Sequence, residues 1–212
     1  EVQHVPHVVN PLTVAFNRNG KARLVLDCRH INPHLFRYKC TLEDQSVARK
    51  IFSKGDFLFS FDLKSAYHHI EIFEAHRTYL GFSWFLDGKK RFFVFRVLPF
   101  GISVAGFIFT KTLRVVVKHW RSLGHTVVMF LDDGLGGHRN LDGATEMAGF
   151  VRNDLQSFGF LLADDKCIWV PVQCIIWLGY VWNAGYGTLA ICEDRLVRFE
   201  TLLHEIIASV AQ

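Results

Sequence analysis

Residues 127–134 read VVMFLDDG, and this segment decides how the rest of the chain is interpreted. Five apolar residues predict a buried strand, and the Asp-Asp-Gly that follows predicts a turn. Adjacent carboxylates repel each other, and the repulsion raises the pKa of one of them unless a cation neutralises the pair. Asp132 and Asp133 therefore indicate either an ordinary solvated turn or a cation site.

A third acidic residue, Asp62, interrupts a second apolar segment, FLFSFDL at residues 57–63. In a split βαβ sheet the first strand neighbours the central hairpin, so Asp62 and Asp132 are expected to face a shared site. Three carboxylates suit Mg²⁺ or Mn²⁺. Two such ions about 4 Å apart activate a hydroxyl and stabilise the leaving oxygen in phosphoryl transfer.

The order of predicted elements gives the fold class. From residue 57 onward the sequence predicts, in order, a strand, a hairpin around 82–97, a helix over 103–123, a strand pair around 127–135, a helix over 142–158 and strands over 161–181. Apart from the inserted hairpin, this is a ferredoxin-like split βαβ arrangement, an α+β fold with an antiparallel sheet and helices on one face. Short strands precede it, and a last helix over 195–208 follows it.

Composition excludes several classes of protein. Half of the 212 residues are hydrophobic and 21% are charged, which excludes a disordered or fibrous chain. Residues 1–55 contain 9 Lys and Arg but only 4 Asp and Glu, so this N-terminal part of the chain is basic and is expected to bind an anion. The uncharged segment 167–192 is interrupted by proline and glycines, which favours buried strands over a membrane helix. The chain has five cysteines, an odd number, and no secretory signal is visible at its start. Both features predict an intracellular protein, in the cytoplasm or nucleus, that is not secreted and has no membrane partner.

Six motifs in order resemble those of reverse transcriptases. They lie within residues 10–32 and at 61–70 (FDLKSAYHHI), 98–103 (LPFGIS), 130–133 (FLDD), 159–166 and 177–180 (WLGY). Together they cover about 10–181. Within that family, the runs YHH, LGFSW and FLDDG are most similar to retrotransposons of the DIRS type, which carry a tyrosine recombinase.

The resemblance implies the fingers and palm of a right-hand polymerase, with the thumb largely absent. The expected ranges are fingers at 1–56, the first catalytic strand and helix of the palm at 57–82, a fingers/palm hairpin at 83–97, palm at 98–182, and the exit of the primer grip with the start of the thumb at 183–212. An RNase H domain is expected elsewhere in the same polyprotein.

The resemblance also implies an activity, an RNA-directed DNA polymerase that adds deoxynucleotides to a primer 3′-hydroxyl on an RNA or DNA template. Two Mg²⁺ ions, with Mn²⁺ as an alternative, are the implied cofactors. The implied catalytic residues are Asp62, Asp132, Asp133 and Lys166, of which the three aspartates are also the metal ligands. The implied dNTP-binding residues are Lys21, Arg23, Leu63, Tyr67, Phe100 and Gly101. The implied primer grip is Trp177, Leu178 and Gly179.

Three of these roles have a clear chemical basis. Arg23 would hold the triphosphate, because a guanidinium binds phosphate with two donors. Tyr67 matches the residue that excludes a 2′-hydroxyl, and Lys166 matches the lysine that protonates the pyrophosphate leaving group. Two positions depart from the family pattern, since Asn17 stands where lysine is usual and Gly106 where proline is common.

Two other functions remain open from the sequence. The first is a non-catalytic nucleic-acid-binding remnant of such a polymerase, against which the three intact aspartates argue. The second is an unrelated two-metal cyclase or phosphodiesterase on the same sheet, which would not need the motifs at 98–103 and 177–180.

Overall fold

The computed structural model describes residues 1–16, 20 and 22–210, so Asn17 and Lys21 lie outside the described residues. The strands are β1 (Leu12–Phe16), β2 (Ala22–Leu26), β3 (Phe57–Asp62), β4 (Gly81–Leu86), β5 (Lys89–Val94), β6 (Val127–Phe130), β7 (Asp133–His138), β8 (Ile168–Val172), β9 (Cys174–Trp177), β10 (Tyr180–Asn183) and β11 (Thr188–Ile191). The α-helices are α1 (Gln45–Ile51), α2 (Ala105–Ser122), α3 (Leu141–Ser157) and α4 (Glu193–Val210).

The chain divides into two compact units. Unit 1 comprises Glu1–Thr41 and Ser65–Val115, and unit 2 comprises Leu42–Lys64 and Val116–Gln212. These two units are not the same divisions as the fingers and palm ranges expected from the sequence, which are functional regions. Those ranges stay predictions.

Unit 2 contains the expected split βαβ sheet. Its four strands are ordered β6-β7-β3-β8 and all pair antiparallel. Counted along the chain, the order from β8 is 4-1-3-2, which is the ferredoxin-like topology predicted from the element order. The α+β prediction with an antiparallel sheet is therefore confirmed.

The two faces of this sheet are covered differently. On one face, α3 packs on β3, β7 and β8, and Trp120 of α2 meets the Phe61 ring edge to face at 6.2 Å. The Trp120 indole donates to Asp154 of α3 at 2.6 Å, which ties the two helices together. On the other face, Leu58 and Leu135 are buried in a cluster with Trp177 from the small sheet β11-β10-β9.

Glycines in β7 make room for aromatic rings from β3. Gly134 pairs directly with Phe61, and a Cβ on Gly134 would overlap the Phe61 ring. The Phe61 ring therefore lies over the backbone of β7 at Gly134, where a larger residue would displace it.

Unit 1 consists of two hairpins around its own core. β1 pairs with β2, and β4 pairs with β5 across the Asp87-Gly88 turn, as that dipeptide predicts. Leu26, Cys28 and Leu80 form the buried centre of this core. The expected helical turn after β3 is a short 3-10 helix, Ala66–His69, which follows Ser65 in a left-handed conformation with φ 55°.

The uncharged segment 167–192 forms four strands, β8 to β11, so the prediction of strands is confirmed. The prediction that they are buried is wrong for β11, whose residues are all exposed because it is the outer strand of the small sheet β11-β10-β9. Within the described part of the chain, no helix has the length and apolarity needed to span a membrane.

We predict that Gly134→Ala lowers the free energy of unfolding by about 2 kcal/mol, because the new methyl group overpacks the Phe61 ring. The matched control is Gly149→Ala in α3, where a Cβ meets no atom within 4 Å. That control should raise stability by about 1 kcal/mol, the usual gain of alanine over glycine inside a helix. Urea denaturation of the two variants checks this, and equal effects would contradict the packing argument.

Candidate active site

Strand pairing brings two of the predicted carboxylates together. Asp62 ends β3 and lies directly opposite Asp133, the first residue of β7. Residues directly opposite in an antiparallel pair share a face and have neighbouring Cβ atoms. Asp132 precedes Asp133 in the turn, and its carbonyl accepts from the Leu63 amide at 3.0 Å. The three predicted aspartates therefore lie at one end of the sheet.

The turn that carries Asp132 is strained. Phe130 pairs with Asp133, so only Leu131 and Asp132 connect the two strands. Two-residue hairpin turns require positive φ, which glycine or asparagine usually supplies. Here Leu131 adopts φ 51°, a conformation that costs a leucine free energy. Backbone strain of this kind concentrates at functional sites.

The carboxylates interact electrostatically. Burial, the charges of Asp132 and Asp62, and a hydrogen bond with Asp62 together raise the pKa of Asp133 to about 7. Asp133 therefore holds a proton under conditions in which an isolated aspartate is ionised. A cation close to this cluster would relieve the repulsion and favour the ionised form.

Lys166 supplies one positive charge to the cluster, and its predicted role as a proton donor stays a prediction. Its Nζ lies 2.9 Å from Oδ2 of Asp62, whose side chain is only 13% exposed. The hydrogen bond to Asp62 and the charges of the aspartates raise the pKa of Lys166 against a smaller opposing effect of burial. The loop that holds Lys166 is anchored on the same residue, because the Ala163 amide donates to the Asp62 carbonyl at 2.9 Å.

Cys167 is a contact of Asp62 that the sequence analysis missed. Its Sγ accepts from the Asp62 amide at 3.4 Å and lies 3.8 Å from the Asp62 carbonyl. The β3–β8 ladder is irregular between Leu58 and Ser60, and the thiol contacts the Asp62 backbone beyond that irregularity. Cys167 thereby helps to fix the backbone of a predicted catalytic residue. In the sequence, the only feature that linked Cys167 to the site was its position directly after Lys166.

The donor set fits a hard divalent cation, since carboxylate oxygens are the ligands preferred by Mg²⁺ and Mn²⁺. Among the residues that the structure describes, no group of three or more His, Cys, Asp or Glu side chains is arranged to hold a metal ion. The positive charge at Asp62 comes from Lys166. The assignment of Asp62, Asp132 and Asp133 as metal ligands stays a prediction.

Leu63, one of the predicted dNTP-binding residues, belongs to unit 2 and follows Asp62 directly. Its side chain is 1% exposed, and its amide binds the Asp132 carbonyl. In this structure Leu63 packs in the core and links β3 to the turn of the aspartates.

Three of the remaining predicted dNTP residues meet in unit 1 around the ring of Phe100. The Arg23 guanidinium lies 4.4 Å above the ring centroid, and the Tyr67 ring lies 5.1 Å away. His68, which the sequence analysis did not assign, contacts the same ring edge to face at 5.6 Å. Lys21 lies outside the described residues. Arg23, Tyr67 and Phe100 therefore lie together within unit 1, and their role in binding dNTP stays a prediction.

Gly101 follows this ring in a conformation that requires glycine. Its φ is 110°, and a Cβ there would overlap the Leu26 carbonyl oxygen. The Leu26 amide also donates to the Phe100 carbonyl at 2.9 Å, so β2 lies directly against this turn. Gly101 therefore permits the close approach of β2, which carries Arg23.

The predicted primer-grip residues form the turn between β9 and β10. Trp177 is buried and meets Trp182 edge to face at 6.0 Å, while Leu178 and Gly179 both adopt positive φ. Arg195 at the start of α4 donates to the Leu178 carbonyl at 3.1 Å, a contact that no motif in the sequence indicated. Trp177 is a core residue, and Leu178 is partly buried and packs against the same cluster.

The family model of the reverse transcriptase (RNA-dependent DNA polymerase) matches residues 15–182. The chain belongs to this family. The matched range contains the three aspartates, Lys166 and the residues around the Phe100 ring.

Relatives of known sequence are distant and much longer than this chain. The genome polyprotein of petunia vein clearing virus is 26% identical over 149 residues, 70% of this chain and 6% of that protein. Protein P of duck hepatitis B virus is 28% identical over 164 residues, 76% of this chain and 19% of that protein. The Pol polyprotein from transposon gypsy of Drosophila melanogaster is 31% identical over 121 residues, 57% of this chain and 11% of that protein. The chain thus spans a fifth or less of these proteins.

Solved reverse transcriptases share the fold. The foamy viral protease-reverse transcriptase in complex with double-stranded DNA matches with a TM-score of 0.77 and 16% identity, over 91% of this chain and 32% of that one. The same protein in complex with an RNA/DNA hybrid matches with a TM-score of 0.75 and 15% identity, over 91% and 25%. The fingers and palm fold is therefore confirmed, whereas the DIRS-type assignment stays a prediction.

The raised pKa of Asp133 predicts a pH-dependent effect of Asp133→Asn on stability. A carboxyl with a raised folded-state pKa stabilises the protein below about pH 4, and this stabilisation is lost as the pH rises through about 7. In the absence of divalent ions, Asp133→Asn should therefore exceed the wild type by only about 1.5 kcal/mol at pH 5, where part of this stabilisation is already lost. At pH 8, where it is fully lost, the variant should exceed the wild type by on the order of 4 kcal/mol.

Urea denaturation at the two pH values in EDTA measures this difference. Asp142→Asn in the exposed first turn of α3 removes the same charge away from the cluster and serves as the control. A gain for Asp133→Asn that is equal at pH 5 and pH 8 would contradict the electrostatic account.

Proposed function

We propose that this chain is the fingers and palm part of an RNA-directed DNA polymerase, a nucleotidyltransferase that extends a primer 3′-hydroxyl with deoxynucleotides on an RNA or DNA template. The observation that carries the proposal is the pairing of Asp62 with Asp133 beside Asp132, within the range that matches the family. A merely structural sheet gains nothing from three repelling carboxylates at one end.

Asp62, Asp132 and Asp133 are the residues that would hold two divalent ions, Mg²⁺ or Mn²⁺. When bound, these ions supply activation of the primer hydroxyl and stabilisation of the leaving pyrophosphate. The rigid sheet contributes orientation, because β3 and β7 fix the backbone of Asp62 and Asp133 through their ladder. Cys167 and the Ala163 amide hold the other edge of Asp62.

Lys166 is the proposed proton donor to the leaving group. Its Nζ lies next to Asp62, and its raised pKa keeps the ammonium charged at neutral pH. The side chain is 60% exposed, so its long stem has room to move within the site. A protonated donor within reach of the leaving oxygen meets the geometric condition for general acid catalysis.

The unit 1 cluster is the proposed contact for the incoming deoxynucleotide. Arg23, together with Lys21, would bind the triphosphate, and Phe100 with Gly101 would pack against the nascent base pair. Tyr67 would contact the sugar and exclude a 2′-hydroxyl. Support comes from the shared location of Arg23, Tyr67 and Phe100.

Leu63 and the turn at Leu178 and Gly179 complete the proposed site. Leu63 supports the Asp132 turn from the core, and the turn between β9 and β10 would hold the primer terminus. The proposed partners are an RNA template, a DNA primer and dNTPs. We place the chain within a polyprotein of a retroelement, similar to the DIRS type and intracellular, with an RNase H domain elsewhere in it.

Primer extension on an RNA template tests the proposed function. We expect the wild-type chain to extend a DNA primer with dNTPs and Mg²⁺, and Asp132→Asn to reduce the rate at least 100-fold, a loss of about 2.7 kcal/mol of transition-state stabilisation. Asp142→Asn is the matched control, because it removes an exposed aspartate of the same unit, and it should extend at the wild-type rate.

The other outcomes are equally informative. Extension that is equal in the wild type and Asp132→Asn would show that the assigned carboxylates are not catalytic. Binding of an RNA–DNA hybrid with no extension by any variant, in Mg²⁺ or Mn²⁺, would overturn the enzymatic proposal in favour of a non-catalytic remnant.

A further inference from the structure

The turn between β9 and β10 adopts a conformation that its sequence does not favour. Trp177 pairs with Tyr180, so Leu178 and Gly179 alone connect the two strands. Their φ angles are 50° and 74°, as a two-residue turn of this hairpin type requires. Glycine adopts such angles freely, but a leucine loses free energy in them. A strained residue of this kind persists only where its surroundings hold it in place.

Arg195 at the start of α4 holds this turn from outside the hairpin. Its Nη1 donates to the Leu178 carbonyl at 3.1 Å. Its guanidinium carbon lies 5.3 Å from the centroid of the Tyr180 ring. It also lies so close to Gly179 that a Cβ on that residue would be 3.0 Å from Nη1 and 3.2 Å from Cδ of Arg195. One side chain therefore lies against all three residues from 178 to 180.

The backbone that leads into α4 fixes the distance between Arg195 and the turn. The Cys192 amide donates to the Gly179 carbonyl at 3.2 Å, and the Arg195 amide donates to the Cys192 carbonyl at 3.0 Å. Two successive carbonyls of the turn, those of Leu178 and Gly179, thus accept from the segment that opens α4. Loss of the guanidinium would leave the strained residue without its donor, and the turn would be free to relax.

The chemistry of these contacts is specific to arginine. A hydrogen bond from a charged donor is about twice as strong as one between neutral groups. The planar guanidinium can donate to the Leu178 carbonyl and lie over the Tyr180 ring at the same time. A lysine ammonium is a compact point charge and reproduces only part of this arrangement. Arg198, three residues further along α4, is exposed and provides a comparison with the same charge on the same helix.

We propose that Arg195 is a positioning residue for the primer terminus, which it places by holding the turn at Leu178 and Gly179 in its strained conformation. The inference rests on the proposed function, in which this turn holds the primer. An error of about 1 Å in the position of a reacting group can lower a rate about 100-fold. A relaxed turn would therefore slow the attack of the primer 3′-hydroxyl without weakening the binding of dNTP.

A binding assay without metal ions or dNTPs tests the positioning directly. The probe is a primer–template duplex with 2-aminopurine as the last base of the primer, because the fluorescence of this base changes with its stacking. We expect saturating wild-type chain to change the fluorescence. Arg195→Met keeps a long side chain but loses the donors, and it should return the signal most of the way to that of the free duplex. Arg198→Met is the matched control and should give the wild-type signal.

Single-turnover extension with Mg²⁺ and one dNTP tests the effect on the reaction. Arg195→Met should lower the rate constant about tenfold, because a misplaced terminus is seldom aligned for attack, and the Kd for dNTP should stay that of the wild type. Arg195→Lys should recover only part of the loss. A variant that merely folds less well would lower the amplitude of the reaction and leave its rate constant unchanged.

The two assays separate this inference from the proposed function. A fluorescence change that Arg195→Met abolishes, with no extension by the wild type, would support the role of Arg195 and overturn the polymerase. Equal fluorescence and equal rate constants in the wild type and Arg195→Met would overturn the role of Arg195. So would equal losses of duplex affinity in Arg195→Met and Arg198→Met with an unchanged terminal signal, since both arginines would then be phosphate contacts only. No binding of the duplex by the wild type would overturn both proposals.

Discussion

The register between β3 and β7 is the constraint on which the site depends. It places Asp62 directly opposite Asp133, and the two-residue turn before β7 leaves Asp132 beside them. A shift of one residue would send one aspartate to the opposite face of the sheet. The fold opposes that shift, because the Phe61 ring lies over Gly134, whereas a shift of one residue would place it opposite Leu135 or Asp133.

The same register places three carboxylates close together, and the positive charge of Lys166 offsets part of their repulsion. Three carboxylates at one end of a sheet repel, and the result is a raised pKa at Asp133 and an ion pair between Asp62 and Lys166. Such an arrangement costs stability and is retained where function needs it. In the polymerase that we propose, the repulsion among the three carboxylates favours the binding of a cation, because a cation relieves it.

Sequence patterns predicted the sheet well because its determinants are local. Apolar runs such as residues 127–131 and the Asp87-Gly88 turn specify strands and a hairpin within a few residues. The contacts of Cys167 and Arg195 were missed, because each depends on a partner distant in sequence, Asp62 and Leu178. Unit 1 holds 13 Lys and Arg against 5 Asp and Glu, and unit 2 holds 11 against 15. The difference in net charge between the two units was only partly visible in the sequence, because it depends on residues 1–41 and 65–115 joining to form unit 1.

Titration of the metal-free chain with Mn²⁺, followed by electron paramagnetic resonance, tests the central claim that the three aspartates form a cation site. The account predicts Mn²⁺ binding by the wild type at pH 7, a proton released from Asp133 on binding, and at least tenfold weaker binding by Asp62→Asn. Equal Mn²⁺ binding by the wild type and Asp62→Asn, with no proton released, would contradict it.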